Sequence, residues 1–178
     1  MTFDPQSMRL ETDRLILRIH DKSDFPARLA LWQNPDVVRH IGNFKRSEEE
    51  AWERMLFLVG HWQINGYGYW VVEEKESGNM IGEAGFMDAK RDMTPPYDNR
   101  FEAGWVIDPR HHGRGLAREA MAAALTWLDQ RFDHPDTFCI IGSENKASLK
   151  LADRLGYQFL KNTVYKESQI DLLVRPGR

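Results

Sequence analysis

Residues 110–115 read Arg-His-His-Gly-Arg-Gly and stand between an apolar stretch ending at Ile107 and an alanine-rich segment with helical spacing. No other feature of the chain narrows the possible folds as far. Glycines at 113 and 115 lack a β-carbon, so the backbone there can turn tightly and aim several N–H groups at one point. The helix that follows adds its positive end, four unpaired amides with the dipole behind them. A strand, a glycine turn and a helix N-terminus in this order form a cradle for a phosphate or pyrophosphate.

Spacing sorts the phosphate ligands. A nucleoside-triphosphate loop needs G-x-x-x-x-G-K-S/T, whereas Gly115 is followed by Leu116, Ala117 and Arg118, with no lysine–hydroxyl pair for phosphate and magnesium. A dinucleotide fingerprint needs a third glycine where Arg118 stands. ATP and NAD are both disfavoured.

The 178 residues suit one domain, and their pattern is α/β. Residues 15–18 read as a strand, and residues 21–24 offer caps for a helix carrying Leu29, Leu31 and Trp32 that Asn34-Pro35 ends. A short helical turn over 37–41 follows. Ser47 with Glu50 forms a capping box, and Trp52, Leu56, Val59 and Gln63 continue at helical spacing to Asn65. Gly66-Tyr67-Gly68 closes that helix, and residues 69–74 and 80–87 form two strands around Ser77-Gly78-Asn79. Residues 88–100, with Pro95-Pro96, read as an exposed loop long enough for a lid or an interface. Strand 101–107, helix 116–131, strand 137–141, helix 145–155 and strands 157–160 and 165–174 complete a mixed sheet. The expected organisation is an N-terminal extension over 1–10, the domain over 11–174 and a tail over 175–178, with no repeat or linker.

Composition removes other classes. A formal net charge of −3 supplies no general basic field, so nucleic acid is not the expected partner. The lone Cys139 excludes an internal disulfide, no segment approaches the roughly 18 apolar residues of a membrane span, and the start lacks a secretory pattern. A cytoplasmic, reducing location fits. His111 and His112 lack further ligands at zinc spacing, so no metal is predicted. Cys139 reads as a buried apolar residue, and the six scattered tryptophans as core aromatics, not base-stacking platforms.

Taken as Arg/Gln-x-x-Gly-x-Gly/Ala, the loop with Arg110, Gly113 and Gly115 resembles the coenzyme A loop of the GCN5-related N-acetyltransferase (GNAT) superfamily. Upstream, Glu102-Ala103-Gly104-Trp105-Val106-Ile107-Asp108-Pro109 looks like the preceding strand in the branch of the ribosomal-protein N-terminal acetyltransferases, the RimJ/RimL-like enzymes. Downstream, Asn145, Ser148, Leu151 and Leu155-Gly156-Tyr157 look like that branch's N-x-x-S helix and closing L-G-F/Y. Residues 11–18 are similar to its first strand, so the resemblance spans nearly the whole chain.

The resemblance implies a single-domain fold whose mixed, mostly antiparallel sheet is splayed at the cofactor site and flanked by helices. It implies acetyl-CoA as acetyl donor and a primary amine as acceptor, joined by direct attack in a ternary complex. The backbone of Val106 and Ile107 would then bond the pantetheine like an added strand. Arg110, His111, His112, Gly113, Arg114, Gly115, Leu116 and Ala117 would hold the pyrophosphate, largely through main-chain N–H groups.

An amine must lose a proton before it attacks, which requires a base. Glu102 stands at the family position for a strand carboxylate, on the face shared with Gly104 and Val106, where burial can raise a carboxyl pKa. An ordinary salt-bridged strand glutamate is the plain alternative, and Glu83 is the reserve. Thiolate release benefits from a proton donor. Many family members place a tyrosine seven residues beyond the asparagine, a position held here by Ala152. Ser148 is therefore the candidate acid, with Asn145 orienting pantetheine; a helix-capping serine is the plain alternative. Tyr157 reads as core. The broken helical pair partly walls the acceptor pocket in the family, which makes Trp32 a candidate acceptor contact beside Glu83. The acceptor stays open between a protein N-terminal α-amine and a small-molecule amine, and a homodimer is compatible. A non-catalytic acyl-CoA sensor or interaction module is the alternative, against which the presence of both Glu102 and Ser148 argues.

Overall fold

The computed structural model describes residues 8–42 and 45–178. One sheet holds β1 (Arg9–Glu11), β2 (Leu15–Arg18), β3 (Tyr69–Glu74), β4 (Met80–Met87), β5 (Glu102–Ile107), β6 (Thr137–Ile141), β7 (Gln158–Tyr165) and β8 (Ser168–Arg175). Their spatial order is β1-β2-β3-β4-β5-β6-β8-β7. β5 and β6 run parallel, and the other neighbouring pairs among the described residues are antiparallel. The helices are α1 (Phe25–Gln33), α2 (Pro35–Val38), α3 (Glu48–Asn65), α4 (Leu116–Phe132) and α5 (Lys146–Arg154).

Alternation along the strands gives the sheet two faces. One packs against α4, where Trp70, Ala84, Phe86, Ala103, Met121 and Leu128 share a core. Trp62 joins it from α3 and meets Trp70 edge-on, ring centroids 4.8 Å apart. Each fully buried large side chain of this kind contributes about 1.5–3 kcal/mol through burial. The other face receives Leu31, Trp32, Val37 and Val38 from α1 and α2, packed on Met80 and Val106.

The sheet parts where the site lies. β4 and β5 are in register over six residue pairs, whereas β5 and β6 pair only at Glu102 and Phe138. From there to Ile107 the two parallel strands diverge, and β5 carries main-chain groups on its β6 side that the sheet does not use.

Several expectations need correction. Arg9 and Leu10 lie in the sheet, where β1 pairs with β2 and Leu10 packs on the core, so the domain takes in residues assigned to the extension. The tail also begins inside a strand, since Arg175 pairs with Thr137. Residues 1–7 of the expected extension lie outside the described residues. The second helical turn starts at Pro35, because Asn34 caps it through the N–H of Asp36. On α3 the buried stripe is Ala51, Met55, Leu58 and Trp62, next to the expected one, and Leu56 is exposed. β7 and β8 form a hairpin whose turn residues Lys166 and Glu167 take positive φ values of 48° and 63°. Neither is a glycine or asparagine, so no turn signal marked it. The 88–100 loop is not wholly exposed: Met93 is buried with Phe138 and Leu172.

Candidate active site

β5 ends at Ile107, and Asp108 caps a short 3₁₀ turn over Pro109–His111 by accepting from Arg110 N at 2.9 Å. Gly113 and Gly115 then take φ values of +75° and +77°, which an L side chain resists. Gly115 is the N-cap of α4 and has no side chain to satisfy the first-turn amides. The loop's side chains bond to neighbouring protein groups. Arg114 reaches Glu74 at 2.8 Å, His112 Nε2 donates to the Ile107 carbonyl at 2.8 Å, and the exposed Arg110 folds onto Asp108. His111 and His112 therefore turn to different partners. Arg14 fastens the loop from outside, donating to the Arg114 carbonyl at 2.9 Å and pairing with Glu119 at 2.6 Å. Anchored side chains and uncapped amides leave a main-chain surface suited to a diphosphate.

The ladder revises the backbone assignment next to it. Asp108 N donates to Ile81 O, so residues 102, 104 and 106 spend their N–H and C=O groups on β4. Those turned to β6 belong to Ala103, Trp105 and Ile107. Val106, expected to offer main-chain groups, offers its side chain to the opposite face instead. Ile107 keeps its N–H for the splay, while its carbonyl is bonded by His112.

Across the splay, Asn145 caps α5 by accepting from Ser148 N at 3.1 Å. Trp105 reaches over from β5 and donates its indole N–H to Ser148 Oγ at 3.3 Å. With that oxygen accepting, the hydroxyl proton is free to be given elsewhere. Tyr157 is buried and accepts from Thr137 Oγ1, and burial pushes both its hydroxyl and the Cys139 thiol to higher pKa. Neither is a ready acid or nucleophile.

The opposite face of β4 and β5 carries the carboxylates. Glu83 is 1% exposed; its Oε1 accepts from Arg28 at 2.7 Å and His20 at 2.8 Å, its Oε2 from Trp32 at 2.9 Å. Burial alone would raise its pKa, but the Arg28 charge and the His20 and Trp32 bonds outweigh it and hold the carboxyl at about 2. Trp32 is thus oriented by Glu83. Glu102 is buried and takes both oxygens to Arg91, at 2.5 and 2.6 Å. Between the two carboxylates, Tyr69, Gly85 and Gly104 form one cross-strand row. A Cβ at either glycine would collide with the Gly68–Tyr69 segment or with Tyr69 Oη, so the missing side chains let the tyrosine lie across the sheet. Burial and the Glu102 charge raise its pKa, which keeps it a donor.

Of the residues singled out from the sequence, Glu83, Glu102 and Trp32 share one face of β4 and β5, while Asn145 and Ser148 lie across the splay. Arg28, Arg91, His20 and Tyr69 join them, and none of these has a local sequence signature. Among the described residues no group of three or more His, Cys, Asp or Glu side chains is placed to hold a metal, and no helix is long and apolar enough to cross a membrane.

Comparison with known proteins agrees with this geometry. The profile of the acetyltransferase (GNAT) domain family matches residues 14–158. A solved structure from Bordetella pertussis assigned to the GnaT family of acetyltransferases superposes with a TM-score of 0.85 at 33% identity, covering 94% of this chain and 99% of that one. The ribosomal protein uS5-alanine N-acetyltransferase of Escherichia coli strain K12 is 27% identical, over 85% of this chain and 78% of its own. The fold also matches RimL, the ribosomal L7/L12 α-N-protein acetyltransferase solved with coenzyme A, with a TM-score of 0.76 at 18% identity over 95% and 98% of the two chains.

Proposed function

The chain belongs to the GNAT acetyltransferases, and from that premise we propose that it moves an acetyl group from acetyl-CoA to a primary amine by direct attack in a ternary complex. The observation that carries this is the splay: β5 and β6 part after one residue pair, immediately before a loop whose amides are uncapped. Coenzyme A supplies the thioester and an amide-bearing arm. The N–H groups of residues 113–117 suit its diphosphate, and the β6-facing main chain of Trp105 and Ile107 suits its arm.

In this reading the amine nitrogen bonds the acetyl carbon, the carbon–sulfur bond breaks, one amine proton leaves to a base and the sulfur gains a proton. Glu102 takes the amine proton, directly or through water. A carboxylate has about four lone-pair sites. Arg91 uses two of them at Glu102, whereas three of Glu83's are engaged. Ser148 supplies the proton at sulfur, its oxygen held by Trp105. Asn145 contributes the cap that fixes Ser148 in place. The lone, buried Cys139 is compatible with a reducing, cytoplasmic setting.

The test is thiol release from acetyl-CoA with a panel of amines and N-terminal peptides. Glu102→Gln is expected to lower kcat by about 100-fold or more, and Ser148→Ala by about tenfold. Full turnover by both variants would remove these roles. Absence of any melting-temperature rise with saturating acetyl-CoA would remove the function and favour an interaction module.

A further inference from the structure

The carboxylate face of β4 and β5 is lined by arginines. Arg28 is bonded to Glu83 and Arg91 to Glu102, while Arg46 lies over the Trp32 ring at 4.9 Å. Arg54, from α3, differs from all three. Its Nη2 donates to Met87 Sδ at 3.0 Å, and its guanidinium lies 4.5 Å over the Phe57 ring. A thioether is a weak acceptor, and no carboxylate among the described residues bonds this arginine. Burial pushes the Arg54 pKa down, and Tyr69, Glu83, Arg46 and Arg91 are its ionisable neighbours. A part-buried guanidinium that meets a thioether and a ring face, with no carboxylate bonded to it, can still take an anion on its fork.

The position of Arg54 in the fold gives this arrangement a meaning. Met87, the residue Arg54 touches, is the cross-strand partner of Glu102, and Gly104, under the Tyr69 hydroxyl, is two residues further along β5. No hydrogen-bond partner for Tyr69 Oη exists among the described residues, and its pKa responds to both Arg54 and Glu102. A guanidinium fork whose acceptor among the described residues is a thioether, and a phenol donor, thus flank the candidate base. A planar group with two oxygens and one charge matches a single fork plus one hydroxyl better than a phosphate does.

We propose that the acceptor is an amine carrying a carboxylate, which Arg54 and the Tyr69 hydroxyl bind while the amine, a few bonds away, meets Glu102. This deepens the acetyl-transfer reading and rests on it. The carboxylate belongs either to a free amino acid or to an acidic side chain next to a peptide N-terminus, and the two sources present the same chemistry to the fork.

Glycine, β-alanine and 4-aminobutyrate are compared with their amides, and Ala-Asp-amide with Ala-Asn-amide, as acceptors in the thiol-release assay. For at least one pair the wild-type enzyme is expected to prefer the carboxylate by about tenfold or more in kcat/KM. The responding pair identifies the source. Arg54→Gln should shrink that preference to about twofold, acting on KM more than on kcat, and Arg54→Lys should restore part of it. Tyr69→Phe should reduce it about threefold, which serves if an Arg54 variant does not fold. Equal use of every pair by the wild type, or an undiminished preference in Arg54→Gln and Tyr69→Phe, overturns the assignment. A melting-temperature rise with acetyl-CoA alongside that result leaves acetyl transfer standing and removes only the anion site. No rise with acetyl-CoA removes both.

Discussion

The glycine loop follows β5 and the carboxylate face spans β4 and β5, yet they are built in opposite ways. The loop works through main chain: Gly113 and Gly115 set its path, and its side chains are tied to Glu74, Asp108 and Ile107 so that the amides stay clear. The carboxylate face works through side chains drawn from distant segments, with Arg28 meeting Glu83 across 55 positions and Trp32 across 51. A main-chain site tolerates changes of most side chains and depends on φ. A buried side-chain network fails when one member is removed, because its partner is left charged in a dry place.

The largest contrast is expected from Arg28→Ala. Arg28 and Glu83 are 0% and 1% exposed, so deleting the arginine strands a buried carboxylate at a cost of about 3–5 kcal/mol in unfolding free energy. Arg114→Ala, at a half-exposed ion pair on the loop, should cost at most about 1 kcal/mol. Denaturant titration of both variants tests the difference, and equal losses would abolish it. The same network sets an acid limit. The folded Glu83 pKa of about 2 lies below the ordinary glutamate value, so its contribution is full above that ordinary value and disappears as pH falls toward 2. Glu83→Gln should flatten this part of the stability profile.

How much could be read from sequence follows the same division. The loop, the Ser47 box with its helix end at Asn65, and strands β3, β4 and β6 appear at their expected bounds, because each is written in adjacent residues. The α3 stripe was displaced by one residue because 51-55-58-62 and 52-56-59-63 share one spacing. Only the sheet beneath decides between them, and it selects the side on which Trp62 can reach Trp70 and Trp127. Val106 was misassigned for a similar reason: the hydrogen-bonding sense of a ladder depends on register, which β5 alone does not carry. Glu102 was legible as a strand carboxylate, whereas its Arg91 partner lies in a loop with no periodicity to place it.

A smaller effect tests the loop itself. Gly113→Val puts a β-branched residue at φ +75°, which costs about 1–2 kcal/mol and bends the amides away from their common target. Coenzyme A affinity measured by calorimetry should weaken about tenfold, whereas His111→Ala should stay within about threefold. The open space around a Cβ at 113 means that the loss, if seen, comes from backbone path and not from a clash. A larger loss in His111→Ala would place the grip in side chains and erase the contrast between the two regions.

The smallest effect joins both kinds of construction. Trp105 offers its main chain to the splay and its indole N–H to Ser148, 43 positions away, at a long 3.3 Å. Trp105→Phe keeps most of the ring and removes the donor, so unfolding free energy should change by about 1 kcal/mol or less. If the indole holds the serine oxygen as acceptor, losing it frees the hydroxyl to rotate, and kcat should drop a few-fold while coenzyme A affinity stays level. In the Ser148→Ala background the tryptophan substitution then has nothing to orient, and its effect on kcat should vanish. Additive losses would show that Trp105 acts through packing alone and that Ser148 is positioned only by its helix cap.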